Sequence, residues 1–269
     1  MTSEFLPCNV PVDASHGSAV LRADFPVESA LGFTTTRQYG RSQGCFESWN
    51  FGDHVGDSAH DVRANRGLLA DYLPSSTTPR WLNQVHGSRV VAAHAVSDGV
   101  DADAAWTDQP GTACAVMTAD CLPVLLACDT QPWVAAAHGG WRGLAGGIIE
   151  ATLDCCPYPL ASVHAWLGPA IGPTMFEVGD DVVQAFIQRY GVTMKRHFEP
   201  VDREHWLANL YGIATQILSD CGVLVVTGGG WCTYRDAARF FSYRRDGQTG
   251  RMATVIALPA APCTDDVIR

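Results

Sequence analysis

Three short segments gather the polar, reactive residues of this 269-residue chain at the ends of apolar runs. They are Asn83-Gln84-Val85-His86-Gly87, Thr118-Ala119-Asp120-Cys121-Leu122-Pro123 and His138-Gly139-Gly140-Trp141-Arg142-Gly143. Strand ends let a rigid sheet present side chains to a pocket. His86, Cys121 and His138 form a natural ligand set: one thiolate and two imidazoles suit zinc, and three protein ligands leave a fourth position for water or substrate. Taken singly, each residue type is more often a core or capping residue beside a strand. The spacings of 35 and 17 residues match no short zinc-finger pattern, so spacing alone leaves the metal reading open.

The third segment also reads as an anion site. Gly139 and Gly140 allow a tight turn at a strand end, and the helix expected after them offers unpaired N–H groups. Arg142 adds a fork of donors suited to phosphate or carboxylate. A plain strand-to-helix turn with a solvated arginine is the competing reading. Near the C-terminus, Phe240-Phe241-Ser242-Tyr243-Arg244-Arg245-Asp246-Gly247 sets aromatics beside arginines. Such a run can stack on a flat ring and meet an anion, or simply form a strand with a charged hairpin tip.

Composition narrows the classes. Acids (28) exceed Lys plus Arg (18), giving a formal charge of −10, which argues against a nucleic-acid binder. Lys195 is the only lysine, so a phosphate loop with its Gly-Lys-Ser/Thr is excluded. The 47% hydrophobic and 17% charged content supports a sizeable core. Met1 to Val10 lacks a basic region followed by an apolar one, and no apolar run reaches the roughly 18 residues of a membrane span. The ten cysteines are irregularly spaced without a CxxC pair, as expected of reduced thiols in a cytoplasmic protein without a membrane role. An oligomeric state is not readable, and a monomer is compatible with the sequence.

Several elements must carry these residues. Leu31–Thr36, Arg80–Val85, Arg89–Ala95, Thr112–Thr118, Leu122–Cys128, Trp133–Ala137, Ser162–Leu167 and Gly222–Val226 read as strands. Helices are expected over Asp61–Tyr72, Leu144–Cys155, Asp180–Tyr190 and Trp206–Asp220. Residues 1–30 are weakly patterned and read as an irregular segment preceding one domain over 31–269. Strands and helices without regular alternation point to an α+β fold.

The chain resembles the YfiH-like, laccase-domain family, known as multicopper polyphenol oxidoreductases and as zinc-dependent purine nucleoside phosphorylases. The resemblance rests on Phe33-Thr34-Thr35-Thr36-Arg37, the run Trp49 to Asp57, Asn65-Arg66, Leu82 to Gly87 and Thr118 to Leu126. It continues through Ala135 to Gly143, Leu167 to Gly172, Phe176 to Gly179, Cys232-Thr233 and Phe241 to Ala253, in family order. It implies a layered α/β/β/α sandwich related to cysteine hydrolases. It also implies that His86, Cys121 and His138 hold zinc; Arg142, which with the Gly139-Gly140 turn is expected to hold the phosphate, completes the expected catalytic set. Asn50, Gly139, Gly140, Tyr243 and Arg244 are the expected substrate contacts. The implied reaction is phosphorolysis of adenosine, inosine and methylthioadenosine with inorganic phosphate, accompanied by adenosine deamination. Two departures stand out: Gly139 replaces the usual alanine, and Trp49-Asn50-Phe51 is more aromatic than the family pattern, an expected change of pocket shape.

Three other functions remain open at this level. Copper could bind the same ligands in vitro, with Met117 on the same strand face as Cys121, as a laccase-like polyphenol oxidase would require. Yet the nine histidines include no His-x-His pair. A cysteine hydrolase would use Cys121 as nucleophile with His86 or His138 as base. A structural zinc clamp would normally show four ligands, and only three are evident.

Overall fold

The computed structural model describes residues 19–259. In chain order, β1 (Val20–Arg22) and β2 (Leu31–Thr35) precede α1 (Ala59–Leu68). The middle of the chain is mostly strand: β3 (Thr78–Arg80), β4 (Leu82–Asn83), β5 (Val90–Ala92), β6 (Val100–Asp101), β7 (Ala104–Thr107), β8 (Thr112–Thr118), β9 (Leu122–Cys128) and β10 (Val134–Gly139). Helices α2 (Trp141–Gly146) and α3 (Ile148–Leu153) lead to β11 (Val163–Leu167), β12 (Glu177–Gly179) and α4 (Asp180–Tyr190). Then come β13 (Phe198–Pro200), β14 (His205–Ala208), α5 (Leu210–Asp220), β15 (Val225–Gly228), α6 (Tyr243–Asp246) and β16 (Met252–Ala257).

Two sheets face each other. One has the order β1-β2-β16-β8-β3, the other β15-β11-β9-β10-β7-β5. Alternation along the central strands builds three cores at once. Cys114 and Val116 of β8, Leu125 and Ala127 of β9, and Ile256 of β16 point between the sheets. Leu122, Val124 and Leu126 of β9 point outward, beneath α3, α4 and α5. Ala115 and Met117 of β8 point to the opposite outer layer, with Trp49, Phe51 and Leu69. A strand covered on both faces reads as a continuous apolar run, so β8 and β9 coincide with the sequence expectation. The result is the α/β/β/α layering that the resemblance implied.

Other expectations need correction. The helix expected over Leu144–Cys155 is two helices, parted at Gly147, whose φ of 90° ends α2. The helix expected from Trp206 begins only at Leu210. Asn209 caps it by accepting from the Gly212 N–H, while Trp206 and Leu207 pair in the small sheet β12-β14-β13. Arg80–Val85 splits into β3 and β4, which belong to different sheets, and only Val90–Ala92 of Arg89–Ala95 is strand. The last expected strand is displaced to Val225–Gly228. The Phe240–Gly247 run is neither strand nor hairpin: Ser242 caps the short α6. Within the stretch expected to be irregular, residues 1–18 lie outside the described residues, and Val20–Arg22 pairs with β2. No described helix is long and apolar enough to cross a membrane.

Candidate metal centre

β8 and β9 lie in different sheets, so Ala119-Asp120-Cys121 carries the chain across the end of the sandwich. Cys121 therefore emerges beside the end of β10, where His138 pairs with Pro123. His86 enters from the turn after β4. The donor atoms of His86, Cys121 and His138 all lie within 4.8 Å of one another. The resemblance assigned these three together, and the fold brings them together.

Two of the turns are strained. His86 has a φ of 60° and Asp120 a φ of 91°, a left-handed conformation that costs a non-glycine residue about 1–3 kcal/mol. Asp103, completely buried, holds the first turn. Its carboxylate accepts from the backbone N–H of Val85 (3.2 Å), His86 (2.9 Å) and Gly87 (2.7 Å), and from His138 Nδ1 (2.8 Å). Asp120 is held by Thr233 Oγ1 at 2.5 Å and by the Arg244 N–H at 2.7 Å. Gln84 exchanges two hydrogen bonds with the Met117 backbone, at 2.7 and 2.8 Å, and so ties the His86 turn to β8.

The electrostatics favour a charged ligand set. Burial opposes ionisation of Cys121, but His138 and His86 outweigh it and bring the thiol down to about 6. Burial likewise disfavours the His138 imidazolium, yet Cys121 and Asp103 raise it to about 9. Asp103 itself is held below the usual carboxylate range: burial works against it, and His138 and the Gly87 and His86 N–H groups prevail. Because His138 Nδ1 is engaged by Asp103, its Nε2 is left for a metal, a common outer arrangement around a ligating histidine.

Residues 31–259 match the family described as multi-copper polyphenol oxidoreductase laccase. The chain belongs to that family. The Haemophilus influenzae protein named purine nucleoside phosphorylase is 45% identical over 226 residues, covering 83% of this chain and 92% of its own. The Escherichia coli protein named purine nucleoside phosphorylase YfiH is 45% identical over 228 residues, covering 84% and 92%. Among solved structures, a Neisseria meningitidis protein of the DUF152 family gives a TM-score of 0.87 at 44% identity, over 90% of this chain and 100% of its own. YlmD from Geobacillus stearothermophilus gives 0.82 at 29%, over 92% and 97%.

This laccase-family centre leaves room for an ion at Gly140. A Cβ there would stand 3.1 Å from His86 Cδ2, 3.2 Å from Cys121 Sγ and 3.6 Å from His138 Cε1. The absent side chain thus opens a cradle against all three donors, and an N₂S set with an open side fits a metal. Gly139 has a different role from the expected turn. It is the last residue of β10, and a Cβ would meet the Leu122 carbonyl at 2.7 Å. Gly140 makes the turn, with an ordinary φ of −64°.

The remaining expected residues separate. Arg142 is exposed, its guanidinium 4.3 Å from the Trp141 ring centre. Tyr243 is 61% exposed at the start of α6. Arg244 reaches the centre through its backbone, while its guanidinium donates to the Glu177 carbonyl at 3.0 Å. Asn50 is not available as a substrate contact. It donates to the Gly52 carbonyl and to Asp57, and accepts from the N–H groups of Gly52 and Arg251. Trp49 and Phe51 are core residues beneath α1 and do not reshape a pocket. Met117 packs in that same core and receives a contact from Arg66, so it does not share a strand with Cys121. Asp103 and Arg251 were missed by the sequence reading. Only the rule that a buried acid needs partners could have pointed to Asp103.

Proposed function

We propose that the chain is a zinc-dependent purine nucleoside phosphorylase that also deaminates adenosine. The observation that carries this reading is the open His86–Cys121–His138 group, in a chain 45% identical to proteins named purine nucleoside phosphorylase. Adenosine, inosine and methylthioadenosine are the proposed substrates. Phosphate oxygen forms a bond to the ribose anomeric carbon as the bond from that carbon to the purine nitrogen breaks. The products are the free base, which takes up a proton, and ribose 1-phosphate, or 5-methylthioribose 1-phosphate from methylthioadenosine. His86, Cys121 and His138 would hold the zinc, which when bound would supply Lewis acidity for phosphorolysis and deamination.

The chain's own residues set the geometry. Asp103 holds His138 in one tautomer and fixes the His86 turn, so the ligand set is preorganised. Tyr243 presents an exposed ring on which a purine can stack. Arg142, exposed two residues after Gly140, can meet the negative charge of incoming phosphate. The Cys121 thiolate beside His138 also supports a second reading, a cysteine hydrolase with Cys121 as nucleophile.

Metal analysis of protein purified without added metal, beside assays of adenosine with and without phosphate, tests the first reading. Zinc near one per chain, with phosphate-dependent adenine release, is expected. Cys121→Ala should lose adenine release and inosine formation together, and loss of one activity alone would end the shared-centre mechanism. Iodoacetamide separates the second reading, because a metal-bound thiolate is shielded until a chelator removes the ion.

A further inference from the structure

A phosphorylase needs a site for a dianion, and at this end of the sandwich the guanidinium of Arg251 has hydrogen bonds to backbone carbonyls but no ion pair among the described residues. Arg251 immediately precedes β16, whose Met252 pairs with Thr118 at the end of β8. One step further along that register, Arg251 runs alongside Ala119, at the start of the crossover that delivers Cys121.

Its side chain is locked. The Asn50 amide oxygen accepts the Arg251 N–H at 2.8 Å, and the carbonyls of Thr249 and Gly250 each accept from Nη1 at 3.0 Å. Gly52 makes room for its stem: a Cβ at residue 52 would stand 2.9 Å from Arg251 Cγ. The Tyr243 ring centre lies 5.9 Å from its guanidinium carbon. Nη1 is thereby spent, while Nε and Nη2, the edge that grips oxyanions side-on, have no acceptor among the described residues.

The neighbouring cations are differently placed. Arg66 pairs with Asp53 at 3.2 Å and donates to the Phe51 carbonyl, Arg245 pairs with Asp246, and Arg244 donates to the Glu177 backbone carbonyl. The nearby acid Asp120 has both oxygens engaged, by Thr233 and by Arg244. Arg251 is half-buried and has no ion pair among the described residues, an arrangement that is costly unless an anion completes it. Burial pulls its pKa down, and the negative fields of Cys121 and Asp120 counter that pull.

We propose that Arg251 anchors the phosphate co-substrate through its Nε–Nη2 edge, and that Asn50 and Gly52 are the residues that aim it. This assignment rests on the phosphorylase reading. It makes Arg142, solvated and stacked on Trp141, the outer of two cations, and explains why Asn50 has no hydrogen-bonding capacity left for substrate.

The test measures inorganic phosphate binding to the metal-loaded protein by calorimetry, and the phosphate KM with adenosine, for wild type, Arg251→Gln, Arg251→Lys and Arg142→Ala. Loss of a charge-assisted fork corresponds to about a tenfold to hundredfold change. Arg251→Gln should weaken phosphate binding and raise the phosphate KM by that factor, with the adenosine KM and zinc content retained. Arg251→Lys keeps the charge and stem but loses the planar fork, so it should recover only part of the loss. It also serves as the variant of record should the glutamine form fail to fold. Unchanged phosphate binding in either folded variant, or a larger loss in Arg142→Ala, overturns the assignment. Arg251-dependent phosphate binding without base release would instead sink the phosphorylase reading and leave the anion anchor standing. A wild type that neither binds phosphate nor releases base overturns both.

Discussion

The Asp103 carboxylate holds His138 Nδ1 at 2.8 Å while taking three backbone N–H groups from the turn that carries His86. One buried side chain therefore orients two ligands that are 52 residues apart in sequence (138 minus 86). Asp103→Asn keeps the volume but removes the charge and weakens that control. Zinc affinity should fall about tenfold to a hundredfold, read by chelator competition. Unaltered affinity would show that His138 needs no such support.

The same residue sets an acid limit. Its folded pKa lies below the ordinary carboxylate value, so its stabilising contribution is complete above about pH 3.9 and disappears as pH falls through the folded value. Acid unfolding of metal-free wild type and Asp103→Asn should differ in this window, with the shallower slope in the variant. Parallel acid limbs would contradict the assignment.

Cys121 supplies the one anionic ligand. Cys121→Ala should purify nearly metal-free and remain folded, because two neutral imidazoles hold a divalent ion poorly. Full metal occupancy in that variant would displace the centre from these residues.

In the metal-free protein, the thiolate and the imidazolium stabilise each other between about pH 6 and pH 9. Alkylation of Cys121 by iodoacetamide should therefore rise with a midpoint near pH 6, where an ordinary cysteine titrates at about 8.5. A midpoint near the ordinary value would mean that His138 does not act on the thiol.

The two adjacent glycines predict opposite phenotypes. Gly140→Ala adds a methyl against His86 and Cys121 at an ordinary φ, so it should cost metal occupancy with little loss of stability. Gly139→Ala drives a methyl towards the Leu122 carbonyl, at 2.7 Å, and should cost about 1–3 kcal/mol of stability by overpacking. Thermal unfolding and metal analysis of the pair would separate these effects, and reversed phenotypes would exchange the assigned roles.

The legible parts of the sequence were those where one physical constraint dominates. β8 and β9 are apolar on both faces because layers cover both, so their limits could be read directly. The apolar residues of the helix at Leu210–Asp220 extend visually back to Trp206, but Asn209 stops the helix by capping it, and strand pairing claims the preceding residues. Gly147 divides α2 from α3 within a stretch whose apolar spacing is continuous. Residue type at three strand ends nominates His86, Cys121 and His138, but only the family resemblance joins them as ligands, since donors from three separate turns leave no local spacing signature. Asp103 and Arg251 act on the centre from β-strand neighbours distant in sequence. Asn50 looked like a polar contact because side-chain type does not reveal that every hydrogen-bonding position is already filled.

The crossover at Asp120 gives the centre a second consequence. Cys121 ends the stretch that passes from β8 in one sheet to β9 in the other, and His138 rises from the second sheet. An ion shared by His86, Cys121 and His138 would thus be a rivet at the rim of the sandwich, closing large chain loops that the polypeptide alone leaves open. The entropy of that closure joins the free energy of folding. Copies without the ion would lack a fastening between layers, so on the proposed reading metal supply would govern how long the molecule survives as well as its activity.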